Sequence, residues 1–498
     1  MTSNNKIIST EPFKLLFFSI VTALITYGFG LTNYSLSIDS ESPIYPDSSM
    51  SLGRWGTNLI RYHIFEGHTP YFTLLLGLIL LSLTAFELSK IFKLDGIYSY
   101  VFCAIFLSFP QLSYQLIFTM QADVVPLGFL CSIIGVNLFF LARNDIFSIK
   151  SLSYFILSSL LLMFVIAIYQ ALIFIPIIIF LILLLQNFDE ENFKLKSEIY
   201  KVIHFGVLLI FASGLYYISV KLLCPPVEGG YLSSYTSGDS SNRFSNFYHL
   251  WVDNLIGNAY YGEKLYIIAT LLAFGLLIKF GIEKKLFIFR FITLFLILII
   301  PFFISFFITN NTNPPRIYVT SGIVFAFIFV YFLKAFKIEM FTVISCLIIY
   351  LTHLYFITQL FYSNYKIYNH DKELAKKIDF TIQTKYPNFD PNVNYIYFFG
   401  GLPYEHHEKF RLPNSEVFGG SLFSWDNGNN YRIVNFFKFT DIAYYKFIDN
   451  KETYLNIKDS LDNMPIWPKL ESVKMINNVM VVKLGSKKGA PLPGNVEN

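Results

Sequence analysis

The sequence predicts an all-α polytopic membrane bundle of about eleven transmembrane helices, followed by a small α/β domain. Three observations carry this. Of 498 residues, 54% are hydrophobic and only 14% are charged, against about 25% charged in soluble domains. The apolar residues fall in long blocks, among them 13–31, 152–169, 171–185, 286–308 and 317–336. Roughly 20 apolar residues, at about 1.5 Å rise each, span a ~30 Å hydrocarbon core. Past residue 361 the blocks give way to short mixed segments with Asn, Pro and Gly between them.

Taken in order, the apolar crossings lie near 13–31, 70–89, 96–109, 124–142, 152–169, 170–186, 202–220, 265–280, 286–308, 317–336 and 339–361. Backbone groups in lipid must be satisfied within the segment, so each is expected to be a helix. The first lacks a small-residue cleavage site and reads as an uncleaved anchor. Segments 152–169 and 170–186 meet at Tyr169-Gln170 with almost no loop and are expected to form a tight hairpin. Three of the four cysteines (Cys103, Cys131, Cys346) sit in apolar segments and Cys224 at an edge, so no structural disulfide is expected.

With the N-terminus placed in the cytoplasm, each inside connection is basic. They carry Lys90 and Lys93, Arg143 and Lys150, Lys194, Lys196 and Lys201, Lys279, Lys284, Lys285 and Arg290, then Lys334 and Lys337. The short outside connections 110–122 and 309–316 hold only Arg316. This satisfies the positive-inside rule and puts residues 362–498 outside. The net charge of +4 is therefore a topology signal, and no nucleic-acid partner is expected.

Three domains follow. Residues 1–361 form the transmembrane module, with an outer loop 32–69 carrying an amphipathic, interfacial helix over about 48–65 and a second outer loop 221–264 rich in Gly, Ser and Tyr. The second loop is long enough to be a lid. Residues 362–484 form the outer domain, with an amphipathic helix over Asp371–Lys385 and strands at Tyr395–Phe399 and Val479–Leu484. Residues 485–498 form a loose tail.

No phosphate-binding glycine loop, metal-type cysteine pair or HExxH motif occurs. The dense group of ionisable residues near the membrane is Asp39, Glu41, Asp47, Arg54 and Arg61, with Asp123 and Arg316 on neighbouring outside turns. A carboxylate there can take the proton of an acceptor hydroxyl. Arginine binds phosphate oxygens through its planar fork. The plain alternative is a solvated loop whose arginines reach headgroups. His204 and His353 read as core histidines, Glu87 as a partner of Lys90 or Lys93, and His406-His407 as surface loop. Trp251 and Tyr260-Tyr261 read equally as sugar-stacking rings or as an interfacial belt.

Several motifs, in order, carry a family resemblance: Ile38-Asp39-Ser40-Glu41 after the first span, then Ser51-Leu52-Gly53-Arg54-Trp55, then Phe118-Thr119-Met120-Gln121-Ala122-Asp123 opening a span. Ile168-Tyr169-Gln170 follows at the tight turn, and Pro315-Arg316 precedes a late span. On these the chain resembles the Gtr-type serotype-converting O-antigen glucosyltransferases of enteric bacteria and their temperate bacteriophages. The resemblance covers most of residues 1–340.

The resemblance implies a C-type (GT-C) glycosyltransferase fold in the bacterial inner membrane, acting at the periplasmic face. The donor would be undecaprenyl-phosphate glucose and the acceptor a sugar of the lipid-linked O-antigen repeat of lipopolysaccharide. A lipid-glucose flippase and synthase would be functional partners. Asp39 or Glu41 takes the place of the acidic catalytic residue; the family's adjacent acidic pair is split here by Ser40. Arg54, Arg61 and Arg316, with Asp123, Tyr169 and Gln170, are the candidate substrate and lipid-phosphate contacts, and Asp47 is a secondary candidate. Members of such a family need not use a metal; no cofactor is assigned, and a divalent metal is left open. A transporter or flippase of lipid-linked sugar, or an O-antigen polymerase, is the alternative, although no internal repeat is visible and the ionisable groups gather at one mouth.

Overall fold

The computed structural model describes residues 10–41, 46–142, 148–190, 193–225, 243–308, 313–338, 341–403, 410–448 and 450–489. The Gly- and Ser-rich stretch 226–242, the His406-His407 pair and the side chain of Asp47 lie outside that description. The chain divides into two compact units. The first comprises Met1–Thr32 and Tyr45–Thr358, the second Asn33–Ile44 and Gln359–Asn498.

The first unit is helical. Its main elements are α1 (Thr10–Thr32), α2 (Pro70–Ile91), α3 (Gly96–Leu107), α4 (Val124–Ala142), α5 (Ile149–Ile168), α6 (Phe174–Asn187), α7 (Leu195–Leu223), α8 (Arg243–Leu255), α9 (Tyr266–Glu283), α10 (Phe287–Ile299) and α11 (Ser321–Phe336). A final helix, α12 (Thr342–Lys385), contributes to both units. Among the described residues nine helices are long and apolar enough to cross a membrane, and ten if a bent pair is one span. The bent pair is α3 with Pro110–Leu116, at 42°. Proline cannot continue the helical ladder and drives the preceding residue to extended backbone; Phe109 sits at φ −69°, ψ 123°. The remaining apolar segment is α11, a shorter helix of 16 residues. All eleven expected segments are thus helical, and the fold is a polytopic α-helical bundle.

The tight turn at Tyr169 reverses the chain. Helix α4 packs on α5 with Gly128 against Ile168 and Leu172, and Gly135 against Leu162, so the two run antiparallel. Phe139 and Phe140 of α4 meet Phe180 of α6, so α6 runs parallel to α4 and opposite to α5. Tyr169 takes φ −157°, ψ 120° between them. Small residues set the close contacts, as in other membrane bundles: a Cβ on Gly77 would lie 1.9 Å from the Ala122 carbonyl oxygen.

Alternation of helix direction sorts the connections of this unit to two ends. At one end Lys93 pairs with Glu190 (2.9 Å), Lys334 with Asp95 (3.3 Å), and Arg290 with both Asp189 (2.5 Å) and Glu283 (2.6 Å). Four of the five basic connections predicted to be cytoplasmic, those at Lys93, 188–201, 279–290 and Lys334, therefore share an end. At the other end Gln111 and Gln115 donate to the carbonyls of Pro315 and Arg316, both at 3.1 Å. Tyr114 donates to the Tyr261 carbonyl (2.9 Å).

Two local readings are corrected. Residues 243–255 of the expected polar loop form helix α8, whose Phe247 ring packs on Phe303 and Phe306 while Trp251 donates to the Leu298 carbonyl (3.2 Å). The last crossing and the amphipathic helix at 371–385 are one uninterrupted helix, α12, because no Gly or Pro separates Thr342 from Lys385. From Pro46 to Ile64 the chain is helical in three pieces (Pro46–Ser51, Trp55–Asn58, Leu59–Ile64), broken at Gly53, whose φ of 70° only glycine adopts freely.

The second unit adds β1 (Tyr395–Phe399), α13 (Asn430–Phe439), β2 (Lys446–Phe447), α14 (Lys451–Leu461), β3 (Val473–Ile476) and β4 (Val479–Lys483). The sheet order is β2-β1-β4-β3. β1 is parallel to β2 and β4, and β3–β4 is a hairpin turning at Asn477-Asn478, both at positive φ; Asn tolerates that backbone in such turns. Both strands expected from sequence are present. Ile457 and Leu461 of α14 pack with Tyr397 and Val481 in its core.

Candidate active site

The first cluster belongs to the second unit. Leu36 and Ile38 are buried, anchoring a turn closed by the Ser40 amide donating to the Ser37 carbonyl (3.0 Å) and by the Ser37 and Ser40 hydroxyls (2.9 Å). Asp39 takes φ 71° there, a left-handed conformation that Asp tolerates better than most residues. The turn delivers the carboxylates on either side of Ser40 to one guanidinium, that of Arg432.

Arg432 stands in the first turn of α13, which Asn429 caps by accepting from the Tyr431 (3.1 Å) and Arg432 (3.3 Å) amides. Its Nη2 donates to Asp39 Oδ1 (2.8 Å), its Nη1 to Glu41 Oε1, and its Nε to Asp426 Oδ2 (3.0 Å). The side chains differ in exposure: Glu41 1%, Arg432 18%, Asp426 40% and Asp39 46%. Glu41 Oε2 is buried and has no hydrogen-bond partner among the described residues. Burial pushes the Glu41 carboxyl up to about 7, outweighing the opposing pull of Arg432. Burial also pulls Arg432 down, but Glu41, Asp39 and Asp426 outweigh it and hold the guanidinium above its ordinary value.

The second cluster belongs to the first unit and joins motifs far apart in sequence. Arg54 Nε donates to Gln170 Oε1 (3.2 Å), and its guanidinium lies 4.6 Å from the centre of the Tyr169 ring. Gln170 Nε2 donates to the Leu52 carbonyl (2.7 Å) and to the Tyr216 hydroxyl (3.1 Å), which donates to the Gly53 carbonyl (3.2 Å). Trp55 Nε1 donates to Ser219 (2.9 Å), and Thr57 to the Ile168 carbonyl (2.8 Å). The tight turn thus holds the Arg54 loop in place. Nearby in sequence, Arg61 Nη2 pairs with Asp123 Oδ2 at 3.0 Å, each side chain 1% exposed. Their remaining polar atoms, Arg61 Nε and Nη1 and Asp123 Oδ1, lack hydrogen-bond partners among the described residues. Burial lowers the Arg61 pKa and raises that of Asp123. Arg316 lies over the Phe118 ring at 4.8 Å, so the Phe118–Asp123 and Pro315-Arg316 motifs also meet.

Other candidates take structural places. His353 packs between Phe109 and Phe325, and Glu87 pairs with Lys90 (3.0 Å). Tyr260 is 3% exposed against the Tyr114 ring, which removes it as a surface stacking platform. Arg432 and Asp426 escaped the sequence reading because nothing local distinguishes a lone arginine in a helix first turn. Tyr216 was hidden inside an apolar span. Among the described residues no group of three or more His, Cys, Asp or Glu could hold a metal ion.

A bundle of many apolar helices together with a small α/β unit defines the class: a polytopic membrane protein. Residues 28–332 match the family model described as glucosyl transferase GtrII, more than half of the chain, and the chain belongs to that family. It is therefore a multi-pass glucosyltransferase. No curated protein and no solved structure matches it. The matched region contains every candidate residue from Asp39 to Arg316 and stops short of Arg432.

Proposed function

We propose that the enzyme transfers glucose from undecaprenyl-phosphate glucose to a sugar of the lipid-linked O-antigen repeat, at the periplasmic face of the bacterial inner membrane. The observation that carries this is the gathering of Asp39 and Glu41, two acidic residues of the first loop in a GtrII-family chain, onto one guanidinium. The sharing of one end by four of the basic connections supports a cytoplasmic N-terminus and a periplasmic C-terminal unit.

In the proposed reaction a first-loop carboxylate takes the acceptor hydroxyl proton. The hydroxyl oxygen forms the bond to the anomeric carbon as the bond to the phosphate oxygen breaks, with inversion, and undecaprenyl phosphate leaves. Two attributes of a base are divided between the candidates: Asp39 is reachable from solvent, and Glu41 titrates near neutrality, where a base works best. Positive charge at Arg54, with Arg61 and Arg316 as further candidates, offsets the charge developing on the leaving phosphate.

Linkage analysis of lipopolysaccharide from cells with and without the gene tests the assignment; the expected result is one added glucosyl branch, and identical polysaccharides would sink it. Neighbouring genes for a lipid-glucose flippase and synthase are expected. Substitution of Arg54 by alanine is expected to raise the donor KM at least about tenfold, the scale of one lost charge-assisted contact, measured with membranes and labelled undecaprenyl-phosphate glucose. An unchanged KM would remove Arg54 from the donor site.

A further inference from the structure

The geometry points to Arg432 as the positioning residue of the first-loop carboxylates: its two Nη groups hold Asp39 and Glu41 in one arrangement for proton transfer. The inference rests on the proposed role of that pair as the base.

All three guanidinium nitrogens are used, each on a different carboxylate. A planar fork can satisfy three acceptors in fixed directions at once; a lysine ammonium is a point charge without that geometry. The placement also runs against local preference. Arg432 lies in the first turn of α13, where the helix dipole disfavours a cation. Three carboxylates around it reverse that preference, so the arginine belongs to the cluster more than to the helix. Asn429 fixes the turn that carries it, and Asp426 holds the Nε edge. The two Nη groups are thereby aimed at residues 391 and 393 positions away.

Without this charge, two carboxylates two residues apart, one of them buried, would repel each other and favour protonation. The charged groups facing Glu41 are Arg432 and Asp39; those facing Arg432 are Glu41, Asp39 and Asp426. The second unit therefore supplies the residue that makes the first-loop pair competent as a base, although Arg432 lies beyond the region that defines the family.

The test is the pH–rate profile of glucosyl transfer by the full chain in membranes. Labelled undecaprenyl-phosphate glucose is the donor and the host's lipid-linked repeat the acceptor. R432Q is expected to lower kcat at least tenfold with donor KM within about twofold, and to move the acid limb of the profile up by at least about one pH unit, because an attracting charge is lost. R432K is expected to return the acid limb most of the way while kcat stays low. A purely structural arginine would reduce the amount of folded protein and leave the limb unmoved. Wild-type rate and limb in R432Q, alongside inactive D39N and E41Q, would overturn the positioning role and leave the base assignment standing. Normal rates in both D39N and E41Q would instead overturn the base assignment. If R432Q does not accumulate, R432K decides: a wild-type kcat in R432K overturns the proposal, and a kcat lowered at least tenfold with donor KM within about twofold supports it.

Discussion

Replacement of Asp39 by Asn, or of Glu41 by Gln, is expected to reduce glucosyl transfer at least about 100-fold, the lower range of what a positioned general base contributes. Each amide keeps the shape and removes the negative charge. In D39N, Arg432 loses one of its carboxylates, and Glu41 remains buried with an unpartnered oxygen. In E41Q the exposed Asp39 keeps its contact with Arg432, and the buried acidic partner is gone. The pH dependence has a definite sign. A base must be deprotonated to act, and burial raises the Glu41 carboxyl to about 7. The wild-type rate is therefore expected to climb as pH rises through about 7, and E41Q to lose that limb. Cells carrying each variant would show loss of the glucosyl branch in polysaccharide analysis. Normal modification in both would remove the first loop from the chemistry.

Truncation of Arg61 or Asp123 is expected to destabilise the first unit by about 3–5 kcal/mol, because removing one member of a buried ion pair leaves the other charge uncompensated. Both side chains are 1% exposed and meet at 3.0 Å. Replacing both by apolar residues of similar volume, R61M with D123L, is expected to recover most of the loss, since the desolvation of two charges disappears with them. Thermal unfolding in detergent reads the difference. The same proteins separate bracing from substrate contact: a stable double variant with wild-type donor KM marks the pair as a brace between the first loop and the start of α4. A stable R61A protein with a raised donor KM would instead mark Arg61 as a donor contact.

Much of this molecule was legible in advance, for local reasons. Each of the eleven apolar segments is helical, and the chain reverses at the expected turn, Tyr169-Gln170. The continuous α12 was misread because a change from apolar to amphipathic composition resembles a boundary, yet without Gly or Pro nothing stops the backbone ladder. Helix α8 was misread in the opposite direction, since its polar face hid the Phe247 and Trp251 anchors.

The candidate site divides along the same line. Charge at a loop marked Asp39, Glu41 and Arg54 as residues of interest, and motif order added Tyr169, Gln170, Asp123 and Arg316 to the candidates. Their partners were another matter: Tyr216 on Gln170, Phe118 under Arg316, and above all Arg432 on the acidic pair.

By itself, then, the sequence determined a membrane-spanning bundle and a glucosyltransferase resemblance, because hydropathy, helix propensity and charge are properties of neighbouring residues. Only the tertiary structure decided that Asp39 and Glu41 share one guanidinium 391 positions beyond Glu41. Which distant charge offsets a buried carboxylate is settled by packing, and no local period in the chain encodes it.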